Sequence, residues 1–508
     1  MPTRYPRLLT LLLIGASLTP SFASTAKEKA AIQAAARATL PEFIDYLKIP
    51  NVMRQSAKDM QRNAAWTVAA FKRHGFVAQE LEDGETPMVF AELSGGPKAS
   101  KTILFYAHMD GQAVTAAEWD QPDPFSPTLK ARKADGTFQT LPLETLTGAN
   151  PDPELRLFAR SAADDKAPIM MLMAAAEALK ANKKTPAINI KILIDSHEEG
   201  GPPTLKDVVT RNADLLRADA IVMLDGPMHA TNKPTIVFGH RGGGGFTLTV
   251  FGARSELHSG HYGNYAPNPV FGLATLIASM KDADGRVRIP GFYDGAEATP
   301  AMKQAFASVP DDEPALRARI GIAQNEKVGA SYQEAINLPS LNITAISAAD
   351  IDKPRTIIPA QASASFDART VPGTPSARQV ALVRKWVEDQ GYHLVDGAPT
   401  EEDRRTYPRL AAVTGGGGGR ALMTPLDSPL GEWAHKALLA EFHEEPVRIP
   451  MMGGSVPTAP LADGLKVPIL LIPLVNNDNN QHAPNENLRI GNYFEGARTL
   501  YSLFLQPL

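Results

Sequence analysis

The chain has 508 residues, 44% hydrophobic and 21% charged, the balance of a soluble globular protein too long for one ordinary core. A formal net charge of −4 without any clustered Lys/Arg run argues against a nucleic-acid or anionic-membrane partner. There is no cysteine, which excludes disulfides, cysteine nucleophiles and thiolate metal sites, so any metal must sit on His, Asp and Glu.

The N-terminus carries Arg4 and Arg7, an apolar core from Leu8 to Leu18 and a small-residue end at Ser21-Phe22-Ala23. That is the pattern of a secretory signal cleaved after about Ala23, and its apolar core is too short for a comfortable membrane span. Its removal takes away two arginines and no acids, moving the net charge from −4 to −6. A secreted or periplasmic protein, off the membrane after cleavage, is expected.

From residue 24 to 240 the pattern alternates. Helical spacing covers 27–47 and 57–74, and apolar β-prone runs occupy 102–108, 188–194 and 220–224. Between the first two runs lies a helix over 168–182, opening with proline. Strands separated by helices predict an α/β fold, a mostly parallel sheet with helices on both faces. The segments 244–252, 341–347 and 362–371 instead alternate in twos, with amphipathic helices at 268–282 and 377–390. They predict a smaller α+β domain inserted at 241–412. Residues 413–508 then complete the first domain, with helix 430–443, strand 468–474 and helix 492–506. The glycine runs Gly242–Gly245 and Gly415–Gly419 lack the Lys-Ser/Thr of a phosphate loop and read as flexible or tight-turn backbone, the second as the return linker.

Polar clusters follow the strand candidates: His108 and Asp110; His197, Glu198 and Glu199; Asp225; and His482 with Glu486. Another, Asp164-Asp165, stands immediately before a helix. Singly, each has an ordinary explanation as a strand-end histidine, a helix start or a turn. Ligands of open α/β sheets, however, bind beyond the carboxyl ends of the strands, where these clusters would meet as a cation site. Adjacent Glu198 and Glu199 repel, and burying them together calls for a cation or a proton.

The series YAHMDGQ, ADDKAP, DSHEEGG, MLDGP, LHSGHYGN, MGGSVP and QHAPNENLRIGNYFEG resembles the M20 family of metallopeptidases, in its carnosinase-like dipeptidase branch. The resemblance implies two divalent ions, usually zinc, with manganese or cobalt also suited to such ligands. They would share a bridging water and a bridging carboxylate, Asp164, with a cis peptide after it. His108 and Asp225 would complete one shell, Glu199 and His482 the other. Asp110 would accept a hydrogen bond from His108, and Glu198 would be the general base. His197, turned away by strand alternation, is read as packing or surface.

The resemblance further implies that the inserted domain is a lid that forms a homodimer. Its His258 would reach the partner's active site as an oxyanion stabiliser, and Arg369 would clamp a substrate carboxylate. Thr356, Gly454 and Ser455 match further substrate-contact positions. Aspartate at 225, where carboxypeptidase and aminoacylase relatives tend to carry glutamate, favours a dipeptidase acting on short peptides with a free carboxylate. An N-acyl amino acid amidohydrolase would use the same centre. A non-catalytic exported peptide- or metal-binding protein is the alternative of another class, and it would have no use for Glu198 as a free base. No His-Glu-x-x-His or Gly-x-Ser-x-Gly motif supports other hydrolase mechanisms.

Overall fold

The computed structural model describes residues 23–148, 150–200 and 204–508. The expected signal segment lies outside the described residues, apart from Ala23. The first helix, Ala26–Leu47, starts just beyond it, capped by Thr25 and Glu28, whose side chains reciprocally accept each other's backbone N–H. Among the described residues no helix is long and apolar enough to cross a membrane.

The central sheet has eight strands in the order Val77–Leu81, Met88–Leu93, Asn189–Asp195, Thr102–His108, Ala220–Met223, Ile469–Leu471, Thr235–Val237, Val447–Ile449. Its middle four, from Asn189–Asp195 to Ile469–Leu471, are parallel neighbours. Antiparallel pairs join the first three strands to one another, and one more links Ile469–Leu471 to Thr235–Val237. Successive side chains of Thr102–His108 enter opposite cores. Ile103, Phe105 and Ala107 pack with helices Ala26–Leu47, Lys166–Ala181 and Ile490–Leu505, whereas Leu104 and Tyr106 pack with Leu205–Arg211 and Thr458–Leu465. Burial on both faces explains why these strands read as continuous apolar runs. Helix Lys166–Ala181 packs against both Ala26–Leu47 and Ile490–Leu505 and is buried almost all round.

The second sheet runs Ser340–Ser347, Gln361–Thr370, Gly242–Phe251, Leu410–Gly419, His393–Leu394, antiparallel except for the last pair. Helices Pro269–Met280 and Ser376–Asp389 cover one face, over a core that includes Phe246, Leu248, Phe366 and Val383. The glycine runs are the main departure from the sequence expectation. Gly415–Gly419 is no linker and Gly242–Gly245 no loop, because both are paired strand, Gly243 opposite Gly419 and Gly244 opposite Gly418. Crowding is one reason for glycine there: a Cβ on Gly418 would lie 1.6 Å from the Gly243 carbonyl oxygen. Gly415, at φ +91°, occupies a conformation that other residues rarely adopt.

A small sheet in the order Asn487–Arg489, Arg156–Phe158, Thr128–Arg132, Phe138–Leu141 was not foreseen. Its pairing of Asn487 with Phe158 brings together the loops that carry His482 and Asp164.

Candidate active site

The four parallel strands in the middle of the sheet end at one edge, and each is followed by part of the site. His108 closes Thr102–His108, Glu198 and Glu199 follow Asn189–Asp195, Asp225 follows Ala220–Met223, and His482 lies in the long loop after Ile469–Leu471. Asp164 precedes helix Lys166–Ala181, and the Asp164–Asp165 peptide is cis, as the resemblance implies.

These residues form two adjoining groups. His108, Glu198 and Asp225 offer ligand atoms within 4.8 Å of one another, and so do Asp164, Glu199 and His482. Asp164 links them: its Oδ1 lies 2.9 Å from His108 Nε2 and its Oδ2 3.1 Å from His482 Nε2. His482 Nε2 is also 3.2 Å from Glu199 Oε1. Adjacent Glu198 and Glu199 thus serve different groups. Buried Asp164 Oδ2 has no hydrogen bond of proper geometry among the described residues, an orphan acceptor such as a cation would satisfy.

The electrostatics also call for cations. Burial, then repulsion from Asp225, pushes Glu198 up to about 9, while burial, with Asp164 and Glu199, pushes Asp225 up to about 7. Burial would lower His108, but Asp110 and Asp164 outweigh it and hold the ring well above its usual range. The close Asp164 and Glu199 carboxylates raise His482 to about 10. Burial would raise Asp164, yet the two histidines pull it well below the carboxylate range. Buried carboxylates that hold protons in this way are suited to divalent ions. The donor set, carboxylate and imidazole only, fits such metals.

Asp110 partners His108 as expected, chiefly through its backbone carbonyl, and does more besides. His108 Nδ1 lies 3.1 Å from the Asp110 backbone carbonyl and 3.5 Å from its carboxylate. The carboxylate itself accepts the backbone N–H groups of Glu198 at 3.1 Å and Glu199 at 2.9 Å, because the turn after Asn189–Asp195 presents its amides to the end of the neighbouring strand. His197 is packed as expected: it is buried, with Nε2 2.6 Å from Thr86 Oγ1 and Nδ1 3.0 Å from Asp83 Oδ2.

A cavity of about 1200 Å³ opens from the site toward the second domain, and Arg369, Gly454 and Ser455 line it together with Asp164, Glu198, Asp225 and His482. Arg369 leans on Asp367 at 3.0 Å, and Ser455 Oγ donates to the Arg241 carbonyl. His258 and Thr356 are not in its wall. Both are exposed, held near each other by pairing of Leu257–His258 with Ile357–Ile358.

Sequence reading missed two supports. Gln112 donates to Glu199 Oε2 at 2.7 Å, and Asp165 accepts the His108 backbone N–H at 3.2 Å. Their places two residues after Asp110 and one after Asp164 were the available signal, but side-chain direction was not readable from it.

Strand ends converging on two adjoining carboxylate–imidazole groups, under a second domain that lends an arginine, define a metal-dependent hydrolase. The chain belongs to peptidase family M20/M25/M40, whose model matches residues 104–506. It is 27% identical over 499 residues to the Beta-Ala-His dipeptidase of Homo sapiens, covering 96% of this chain and 90% of that protein. It is 26% identical over 443 residues to the Cys-Gly metallodipeptidase of Schizosaccharomyces pombe, covering 85% of each. Among solved structures, it superposes on an M20 family metallo-carboxypeptidase from Sulfolobus solfataricus with a TM-score of 0.70 at 24% identity, covering 92% of this chain and 98% of that one. Human carnosine dipeptidase 1 gives 0.69 at 22%, covering 94% and 98%.

Proposed function

We propose that this protein is an exported dipeptidase that hydrolyses the amide bond of short peptides bearing a free carboxylate. The observation that carries the reading is the divergence of neighbouring side chains, Glu199 toward Asp164 and His482, Glu198 toward His108 and Asp225. Asp164 would be shared by two ions, His108 and Asp225 completing one set and Glu199 and His482 the other. Zinc is the proposed metal, with manganese or cobalt as substitutes. Such ions, when bound, supply Lewis acidity that makes water nucleophilic near neutral pH and polarises a carbonyl. Glu198 would take the proton of the attacking water and return it to the leaving amine, so the bond to nitrogen breaks with its proton supplied. Arg369 would hold the substrate carboxylate through its forked guanidinium. Gly454 and Ser455, in the same cavity wall, would contact the substrate.

A homodimer through the second domain completes the proposal. The edge strand Ser340–Ser347 exposes Ile343 and Ile346, and Tyr265, Phe271 and Ile351 are also exposed. His258, and Thr356 beside it, would then serve the partner's cavity. Export rests on residues 1–23, and the capped helix start at Thr25 supports cleavage near Ala23.

The test is amine release by zinc-loaded protein from free dipeptides and from matched N-acetyl amino acids. Preferential cleavage of dipeptides supports the proposal. Preference for the acetylated compounds would make the protein a deacylase with the same centre. Binding of dipeptide without turnover would make it a binding protein.

A further inference from the structure

Glu486 is fully buried four residues after His482, yet it belongs to neither ligand group. Its Oε1 accepts the backbone N–H groups of Ala163 and Asp164, both at 2.9 Å. Its Oε2 accepts the Ser161 N–H at 2.9 Å and Arg160 Nη1 at 2.8 Å. A carboxylate has about four acceptor positions, so these four donors leave none for a metal. The loops it joins need holding. Ser161 at φ 61°, His482 at φ 62° and Asn485 at φ 61° are all left-handed without being glycine, a conformation that surrounding contacts must enforce. Arg160 extends the tie, with Nη2 3.4 Å from the Ala483 carbonyl and its guanidinium 5.2 Å from the Trp119 ring.

We propose that Glu486 is the positioning residue that fixes Asp164 for two ions at once and locks its loop to the loop carrying His482. The proposal rests on the reading of these two residues as metal ligands. Replacing one carboxylate oxygen by an amide NH2 turns it toward two donors, either Ala163 and Asp164 or Ser161 and Arg160. The turn must then shift, and because Asp164 faces both groups, both ions are weakened.

The test is titration of the metal-free full-length mature chain with Co2+, followed by visible absorption and by competition with a chromophoric chelator. Glu486→Gln is expected to bind Co2+ about 10- to 100-fold more weakly, with an altered spectrum. Leu248→Ala, in the core of the second domain, controls for lost stability and is expected to keep wild-type affinity. Wild-type affinity and spectrum in folded Glu486→Gln would overturn the proposal alone. An equal loss in Leu248→Ala would also overturn it, by making the effect one of general stability. Failure of the wild type to bind two Co2+ would overturn the metal reading and the proposal with it. If Glu486→Gln does not fold, Arg160→Lys, which keeps the charge but not the fork, is read in its place. Weakened Co2+ binding by that variant supports the tie, and unchanged binding refutes it.

Discussion

Glu198→Gln separates the chemistry of the site from its architecture. The change is nearly isosteric, and among the described residues the Glu198 side chain makes no hydrogen bond that it would break; only its backbone N–H is engaged, by Asp110. Loss of a general base costs about 10²- to 10⁴-fold in rate, roughly 3 to 5 kcal/mol of barrier. Metal content should stay at two ions, since Asp164, Glu199, His108, Asp225 and His482 are untouched. The metal-free protein should respond in the opposite sense. A carboxyl raised from 4.5 to about 9 in the fold is protonated there while ionised in the unfolded chain. It therefore costs nothing below pH 4.5, and the penalty grows as pH rises, levelling off above about 9. At pH 8 that penalty is on the order of 4 kcal/mol, part of it belonging to Asp225, whose charge repels Glu198. Metal-free Glu198→Gln should thus melt higher than metal-free wild type at pH 8, and at the same temperature near pH 4. The assays are dipeptide turnover, metal analysis and thermal melts of the chelated protein at the two pH values. Turnover within tenfold of wild type, with both ions bound, would refute the role of Glu198. Identical melting at pH 8 would refute the electrostatic account of the site.

Other perturbations give equally separate readings. Arg369→Lys keeps the charge but loses the fork, and should raise KM for free dipeptides about tenfold while leaving C-terminally amidated ones nearly unchanged; steady-state kinetics on matched pairs decide it. His258→Ala should lose most activity, and mixing it with Glu198→Gln under conditions of subunit exchange should restore part. No recovery, with exchange verified, would remove His258 from a partner's site. Tyr106→Phe deletes the hydroxyl that donates to buried Asp195 at 2.8 Å and should cost about 1 to 3 kcal/mol by denaturant unfolding. Asp110→Asn should slow turnover and weaken metal binding about 10- to 100-fold, because a carboxylate that holds the amides of both Glu198 and Glu199 then presents one donor to them; metal affinity measured alongside kcat checks it.

The sequence by itself determined the main helices and central strands, the fold class and the identities of the polar residues at the strand ends. Apolar, β-prone runs such as 102–108 and 188–194 read as strands of a covered sheet, and helices between them implied parallel order. His108, Glu199, Asp225 and His482 were legible because each stands just beyond such a strand or in the loop that follows it, so local pattern and site coincide. Tertiary structure alone decided what depends on neighbours distant in the chain. The glycine runs signalled looseness locally, yet pairing across 174 residues between Gly244 and Gly418 makes them strand, since only bare backbone fits. Asp110 was placed correctly beside His108, but the amides its carboxylate holds were not foreseen, because which amides face a carboxylate depends on how two adjacent strands end. Glu486 was visible as an acid near His482, but its work is done on the backbone of residues 161–164, more than 320 positions away. Periodicity reports which face of an element is buried; it carries no information on which backbone donors a buried carboxylate will meet, and those donors set its charge and its role.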